Sequence, residues 1–226
     1  MPRASLTGPD GQGTAPADII PDYMKRRAPW RLRSGNTAAT PRLQSERLDL
    51  LVLDQSHAQE VLDYYRRNRE FLAPWVPRRP PEFFTKRYQQ QLLARDRAEA
   101  LERTKLPLWL RRRSDGMLLG SAVFSTIVYG SFRSCMLGYN LDTTATGQGF
   151  MTEGLRTALP HVFTKLGLHR VEANVMPRNA ASLGLLRKLG FRLEGYSPRY
   201  LEIAGAWEDH LRLALLEEEY RDSSRA

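Results

Sequence analysis

The sequence predicts a mixed α/β fold around one central sheet, and three observations carry that prediction. From residue 47 onward, strand-like and helix-like segments follow in the order β-α-α-β-β-β-α-β-α-β-β. Consecutive strands joined by short turns argue for antiparallel pairing, whereas the β-α-β-α-β run from 135 to 199 argues for a parallel insertion. An apolar fraction of 42% over 226 residues is enough for a core, and no stretch reaches the length of a membrane span.

Each element has a local reason. "RLDLLVL" (47–53) alternates as a strand does. Asp54 and Ser56 offer N-caps for "HAQEVLDYYRRNREFL", in which Val61, Leu62 and Tyr65 lie at helical spacing. The proline cluster "APWVPRRPPEFF" stops that helix, and a second helix runs from about Phe84 to Glu102. "LPLWLRRRSDGMLLGSAVFST" is two strands joined at "SDG", a hairpin signal. The strand "SCMLGYNLD" leads through a Gly-rich loop into the amphipathic helix "MTEGLRTALPHVFTKLG". Strand "HRVEANVM", helix "NAASLGLLRKLG" closed by Gly190, and strands "FRLEGYSPRY" and "WEDHLRLALL" complete the order.

Residues 1–43 differ from the rest: Gly/Pro-rich and then basic, they are expected to be a flexible basic extension. A single domain is expected over 44–220, with a short tail at 221–226. Lys and Arg outnumber Asp and Glu by 34 to 25, a net charge of +9 that favours polyanionic neighbours such as RNA, a ribosome or a phosphorylated cofactor. The start lacks the apolar segment of a signal peptide, and the lone Cys135 permits no intrachain disulfide, so a cytoplasmic setting is expected. Cys135 reads as a small buried hydrophobe. His57, His161 and His169 show no metal-ligand spacing, so no metal is expected.

The stretch "TTATGQGFMTEG" (143–154) joins a strand to a helix, where an open α/β sheet places a ligand. It lacks the Lys of a nucleotide-triphosphate loop, since none occurs between Arg133 and Lys165. Thr152 stands where the third Gly of a dinucleotide fingerprint belongs. Two glycines one residue apart can still turn backbone N–H groups inward beside a helix N-terminus, a nest suited to a pyrophosphate. They can equally serve a plain strand-to-helix turn.

Downstream, "VMPRNAASLGLLRKLGF" sets Asn179 at a helix start, Ser182 one turn in, and "LGF" at its close. With the loop, this resembles the GNAT superfamily of acetyl-CoA-dependent N-acetyltransferases, whose phosphate loop [QR]-x-x-G-x-[GA] is matched by "TATGQG" (144–149), with Thr144 where Gln or Arg is usual. "NREFLAPWVPRRPPEFF", "LGYNLD", "GQGFMTEGL", "LHRVEANVMPRNAAS" and "KLGFRLEGYSPRYLEIAGAWEDH" resemble the RimJ/RimL group, nearer the RimJ branch that acetylates ribosomal protein S5, over residues 43–218. The resemblance implies a GNAT-type mixed, mostly antiparallel sheet splayed between two strands, with helices on both faces. It implies acetyl-CoA as cofactor, a protein N-terminus (a ribosomal one) as acceptor, and a monomer or homodimer with possible ribosome or RNA contact.

Carried onto these residues, the resemblance implies that Leu137, Tyr139, Asn140 and Leu141 flank the pantetheine arm. The backbone of Thr144, Ala145, Thr146, Gly147, Gln148, Gly149, Phe150 and Met151 would hold the pyrophosphate. Asn179, Ser182, Leu186 and Arg187 would contact the cofactor from the next helix, with Lys188 beside them. Asn174 occupies the position of the superfamily's Glu base, so Glu172, two residues earlier on the same strand face, is the expected base through water; a structural ion pair with Arg170 is the competing role. Ser182 is the expected proton donor, because Leu186 replaces the usual acidic Tyr. Glu70, Phe71, Trp75, Tyr139, Tyr196 and Tyr200 are expected to line the acceptor groove, and of Asp209 and His210 one should face inward. A small-molecule amine acetylase, or a ribosome-assembly factor with vestigial acetyl-CoA binding, are the competing functions.

Overall fold

The computed structural model describes residues 39–223, so the expected extension lies outside the described residues except for its last few positions. Those positions belong to a strand: β1 (Arg42–Gln44) pairs antiparallel with β2 (Leu48–Leu51), two residues before the boundary expected from composition. The helix expected after β2 breaks at Asn68 into α1 (Ala58–Arg67) and the single turn α2 (Arg69–Leu72). A 3-10 turn at Pro81–Phe84 and the Thr85 side chain, which caps Tyr88 N at 3.3 Å, start α3 (Lys86–Leu101).

The sheet continues through β3 (Leu106–Arg112), β4 (Leu118–Val128), β5 (Ser134–Leu141), β6 (Arg170–Val175), β7 (Arg192–Ile203) and β8 (Ala206–Leu216). Its order is β1-β2-β3-β4-β5-β6-β8-β7. All pairings are antiparallel except β5 with β6, the parallel insertion expected from the crossover through α4 (Phe150–Thr164). The helix α5 (Ala180–Lys188) returns the chain from β6 to β7. The β7–β8 strands run longer than expected, meeting at a tip where Ala204 and Gly205 both have positive φ. A last helix, α6 (Glu217–Ser223), was not expected: "EEEYRDS" has almost no apolar face. Its Tyr220 hydroxyl donates to Arg156 O, the carbonyl that Pro160 inside α4 leaves without an amide partner.

Strand alternation sends successive side chains to two cores. On one face Leu48, Leu50, Leu108, Leu110, Leu155, Leu159 and Val171 are fully buried with α4 and α5. On the other, Val61, Tyr64, Leu93, Trp109 and Leu118 bury α1 and α3. Gly154 lets α4 lie close to β3; a Cβ there would sit 2.7 Å from Leu110 Cδ2. Helices therefore cover both faces of a mostly antiparallel sheet.

Candidate active site

The parallel pair is incomplete. β5 meets β6 only at Ser134–Met136 against Arg170–Glu172, after which β6 goes on with β8 and β5 with β4. Leu137 to Leu141 therefore turn one row of backbone N–H and C=O groups toward an opening V. An unpaired strand edge inside a sheet accepts an extended, amide-bearing ligand as it would a strand.

At the wide end of the V lies the Gly-rich loop. The carboxylate of Asp142, its side chain 1% exposed, organises it. It accepts from Thr144 N at 3.0 Å, Thr144 Oγ1 at 2.7 Å, Asn68 Nδ2 at 2.8 Å and Arg67 Nε at 2.6 Å. Burial pushes this carboxyl up, but the hydrogen bonds from Asn68, Thr144 and Arg67 outweigh it and bring it down to about 2. Thr144 thus spends its amide and hydroxyl on Asp142, and the amides of Ala145 and Thr146 are spent on Asp142 O and Thr143 O, so these three amides, expected in the phosphate-holding set, are committed to the turn. Beyond it, Gly147 (φ 74°) and Gly149 (φ 80°) curl the chain through left-handed conformations. The amides of Gly147 to Thr152 find no backbone acceptor among the described residues, and the first helical bond is Glu153 N to Gly149 O at 3.0 Å. This run of free donors at a helix N-terminus is an anion cradle. Arg47 braces it: Nη1 donates to Gln148 O at 3.1 Å, Nε pairs with Glu153 at 2.6 Å, and the guanidinium lies 4.3 Å over the Phe150 ring.

The two faces of β5 serve different neighbours. Tyr139 points to α5, its Oη 2.6 Å from Ser182 Oγ, so it does not share a wall with the α1 side where acceptor contacts were expected. Burial pushes the Tyr139 phenol up to about 12, against the Ser182 hydrogen bond. Asn140 points the other way, accepting from Tyr64 Oη at 2.6 Å and donating to Ser121 Oγ at 3.1 Å. Asn179 caps α5, its Oδ1 accepting from Ser182 N at 3.1 Å. Leu186 is fully buried in the main core, which removes its side chain from any surface ligand, while Arg187 is exposed.

On the face opposite α5, β6 presents Arg170, Glu172 and Asn174. Glu172 is held by Arg170 at 2.9 Å, and Arg170 also grips Glu194, which raises the guanidinium pKa further. The ion-pair role, weighed above against the base, is the one this geometry favours. Asn174 Nδ2 donates to Tyr200 Oη at 3.2 Å, yet its Oδ1 is buried with no partner. A buried carbonyl without a donor is costly, and among the described residues nothing supplies one. The Tyr200 ring lies 5.5 Å from that of His210, which is buried with Nδ1 3.0 Å from Glu208 O. Asp209 takes the outward side, accepting from Arg199 N at 2.8 Å and from the exposed Tyr196.

Between α1–α2 and the β7–β8 tip opens a cavity of about 350 Å³. Its walls are Tyr65, Leu72, Phe83 and Phe84, its rim Arg69, Arg78 and Arg79, and Asn140 closes one end. Neither Glu70, Phe71 nor Trp75 lines it: Glu70 and Phe71 point to solvent, and Trp75 lies 5.1 Å beneath Arg178. Sequence reasoning passed over the arginines and Phe83, although the interleaved "RRPPEFF" carried a signal. Asp142 was missed too, despite the Asx-turn pattern of "DTT". Among the described residues no cluster of metal-ligating side chains occurs, and no helix is long and apolar enough to cross a membrane.

A sheet splayed between two parallel strands, with a Gly-turned amide cradle at its mouth, defines an acyl-CoA-dependent acetyltransferase. Residues 47–192 match the acetyltransferase (GNAT) domain family, and the chain belongs to it. It is 36% identical over 174 residues, 77% of this chain and 90% of the relative, to the [ribosomal protein uS5]-alanine N-acetyltransferase of Escherichia coli K12. The ribosomal-protein-S5-alanine acetyltransferase of Vibrio fischeri superposes with a TM-score of 0.76 at 29% identity, over 80% of this chain and 98% of that one. RimJ of Mycobacterium smegmatis, solved in complex with CoA-disulfide, gives 0.75 at 31% identity over 80% and 89%. Acetyl-CoA is the cofactor of this family, and the residues here suit it: the free amides of Gly147 to Thr152 meet the pyrophosphate requirement, and the unpaired edge of Leu137 to Leu141 the pantetheine one.

Proposed function

We propose that this acetyltransferase modifies the α-amino group of a protein N-terminus, a ribosomal protein of the S5 type. The observation that carries the reading is Asn174 Oδ1, a buried acceptor at the open V with no donor of its own. An amine N–H is such a donor. Bound acetyl-CoA supplies the acetyl group as a thioester with a thiolate leaving group. On the chain's side, Asn174 orients the amine, Ser182 Oγ gives a proton to the departing sulfur and regains one from Tyr139 Oη across 2.6 Å, and the proton that the acylated nitrogen sheds passes to solvent water.

With Glu172 held by Arg170, the expected base is committed to an ion pair. The acceptor must then bring its own neutral nitrogen. Near pH 7.5 about a quarter of an α-amine of pKa about 8 is neutral, against about one part in a thousand for a lysine side chain. The α-amine is the substrate that this site suits. A polycationic small amine is disfavoured, because the cavity is rimmed by Arg69, Arg78 and Arg79 and lined by no carboxylate. The identities to the uS5-alanine enzymes support the ribosomal acceptor. The test is mass spectrometry of purified uS5 and of Ala-, Ser- and Met-starting peptides after incubation with acetyl-CoA. One acetyl group on the α-nitrogen is expected; unmodified peptides alongside an acetylated small amine would overturn the reading.

A further inference from the structure

The arginine-rimmed cavity carries a second specificity. Arg69 lies 4.6 Å over the Phe84 ring, and Arg79 4.7 Å over the Phe83 ring. A stacked guanidinium spends its face on the ring and keeps its in-plane N–H donors for another partner. Arg78 spends Nε on Ala204 O at 3.0 Å, which fixes it to the hairpin tip. No carboxylate pairs with any of the three among the described residues, whereas Arg47, Arg67, Arg111, Arg112, Arg170 and Arg178 all hold one. The cavity walls are aromatic and aliphatic, and the three exposed arginines stand at its rim, so a carboxylate entering there meets charge-assisted donors. Tyr65, whose hydroxyl makes no hydrogen bond among the described residues, belongs to the same wall.

Asn140 places this cavity beside the V, because it belongs to the part of β5 that has left β6. A protonated amine cannot rest among three arginines, so the acceptor's terminus lies at the Asn174 end and its following residues reach the cavity. We infer that the cavity is a subsite for an acidic side chain, Asp or Glu, within the first few residues of the acceptor protein. The inference rests on the N-terminal acetylation reading and adds to it a sequence requirement downstream of the acetylated residue.

The experiment compares Ala-starting peptides that carry Glu, or its isostere Gln, at each of positions two to five, by kcat/KM with the full chain. At one position the Glu peptide should exceed the Gln peptide by about tenfold, a difference that shrinks with added salt. In the double variant Arg78→Gln, Arg79→Gln, and separately in Arg69→Gln, the Glu-to-Gln ratio should fall toward one. Thermal stabilisation by acetyl-CoA shows that each variant is folded. Equal rates for every Glu and Gln pair would overturn the subsite while leaving N-terminal acetylation standing. A Glu preference that survives the variants would place the acid elsewhere and also overturn it. Competitive inhibition by a short RNA, without Glu discrimination, would assign the cavity to nucleic-acid phosphates instead. Failure of every peptide while a small amine is acetylated would remove both readings.

Discussion

Replacing Asp142 with asparagine tests how the cofactor loop is held. The buried carboxylate receives four donors, two from Thr144 and one each from Asn68 and Arg67. Asparagine keeps the shape but turns an NH₂ group toward one pair of those donors and leaves Arg67 facing a neutral amide. A carboxyl brought from its ordinary 3.8 to about 2 contributes about 2 kcal/mol of stability at neutral pH. Donors left without an acceptor raise the cost, so about 3 kcal/mol is expected. The sign with pH follows from the lowered pKa. The contribution is complete above about pH 5 and disappears as pH falls through about 4 to about 2, because the unfolded chain takes up the proton first. Urea unfolding of wild type and Asp142→Asn at pH 7 and at several acid values is the assay, with KM for acetyl-CoA as a second readout. The variant should be less stable at neutral pH, lose less stability on acidification, and show a raised KM. A loss below about 0.5 kcal/mol, or an unchanged acid limb, refutes the reasoning.

Other outcomes follow from the same structure. Gly149→Ala, at φ 80°, should cost about 1 kcal/mol in thermal unfolding and raise KM for acetyl-CoA, and Gly147→Ala should behave alike. Ser182→Ala should lower kcat by about 10²-fold with KM for the acceptor little changed. Tyr139→Phe should have a smaller effect, seen in steady-state kcat and not in the rate of a single turnover. Glu172→Gln should keep kcat within about threefold while lowering stability by roughly 1 kcal/mol, since Arg170 retains Glu194; a loss of 10²-fold or more would restore Glu172 as base.

The order of elements was legible because apolar spacing and turn residues act locally. "SDG" marked the β3–β4 hairpin, and the strand–loop–helix at 134–164 was clear from glycine placement and amphipathicity. β1 escaped notice because three residues carry no period, and only pairing with β2 makes them a strand. The break at Asn68 depends on a side chain committed to Asp142, 74 positions away. The cofactor loop was readable through backbone requirements that only glycine meets. The acceptor side was not: Tyr139 and Asn140 are neighbours in sequence but serve opposite faces. Glu172 and Asn174 do share a face, and only the structure shows that one is paired and the other is short of a donor.

The incomplete seam between β5 and β6 has a consequence for the stability of the domain. Within the sheet only three residue pairs hold the β1–β5 half to the β6–β8 half, and the core beneath α4 and α5 supplies the rest of the join. A ligand lying along it stitches the halves together and stabilises only the folded chain. At a concentration of one hundred times its dissociation constant that gain is about 2.7 kcal/mol, a large share of a domain's whole margin. Resistance of the purified enzyme to heat and proteolysis should therefore rise with the concentration of acetyl-CoA.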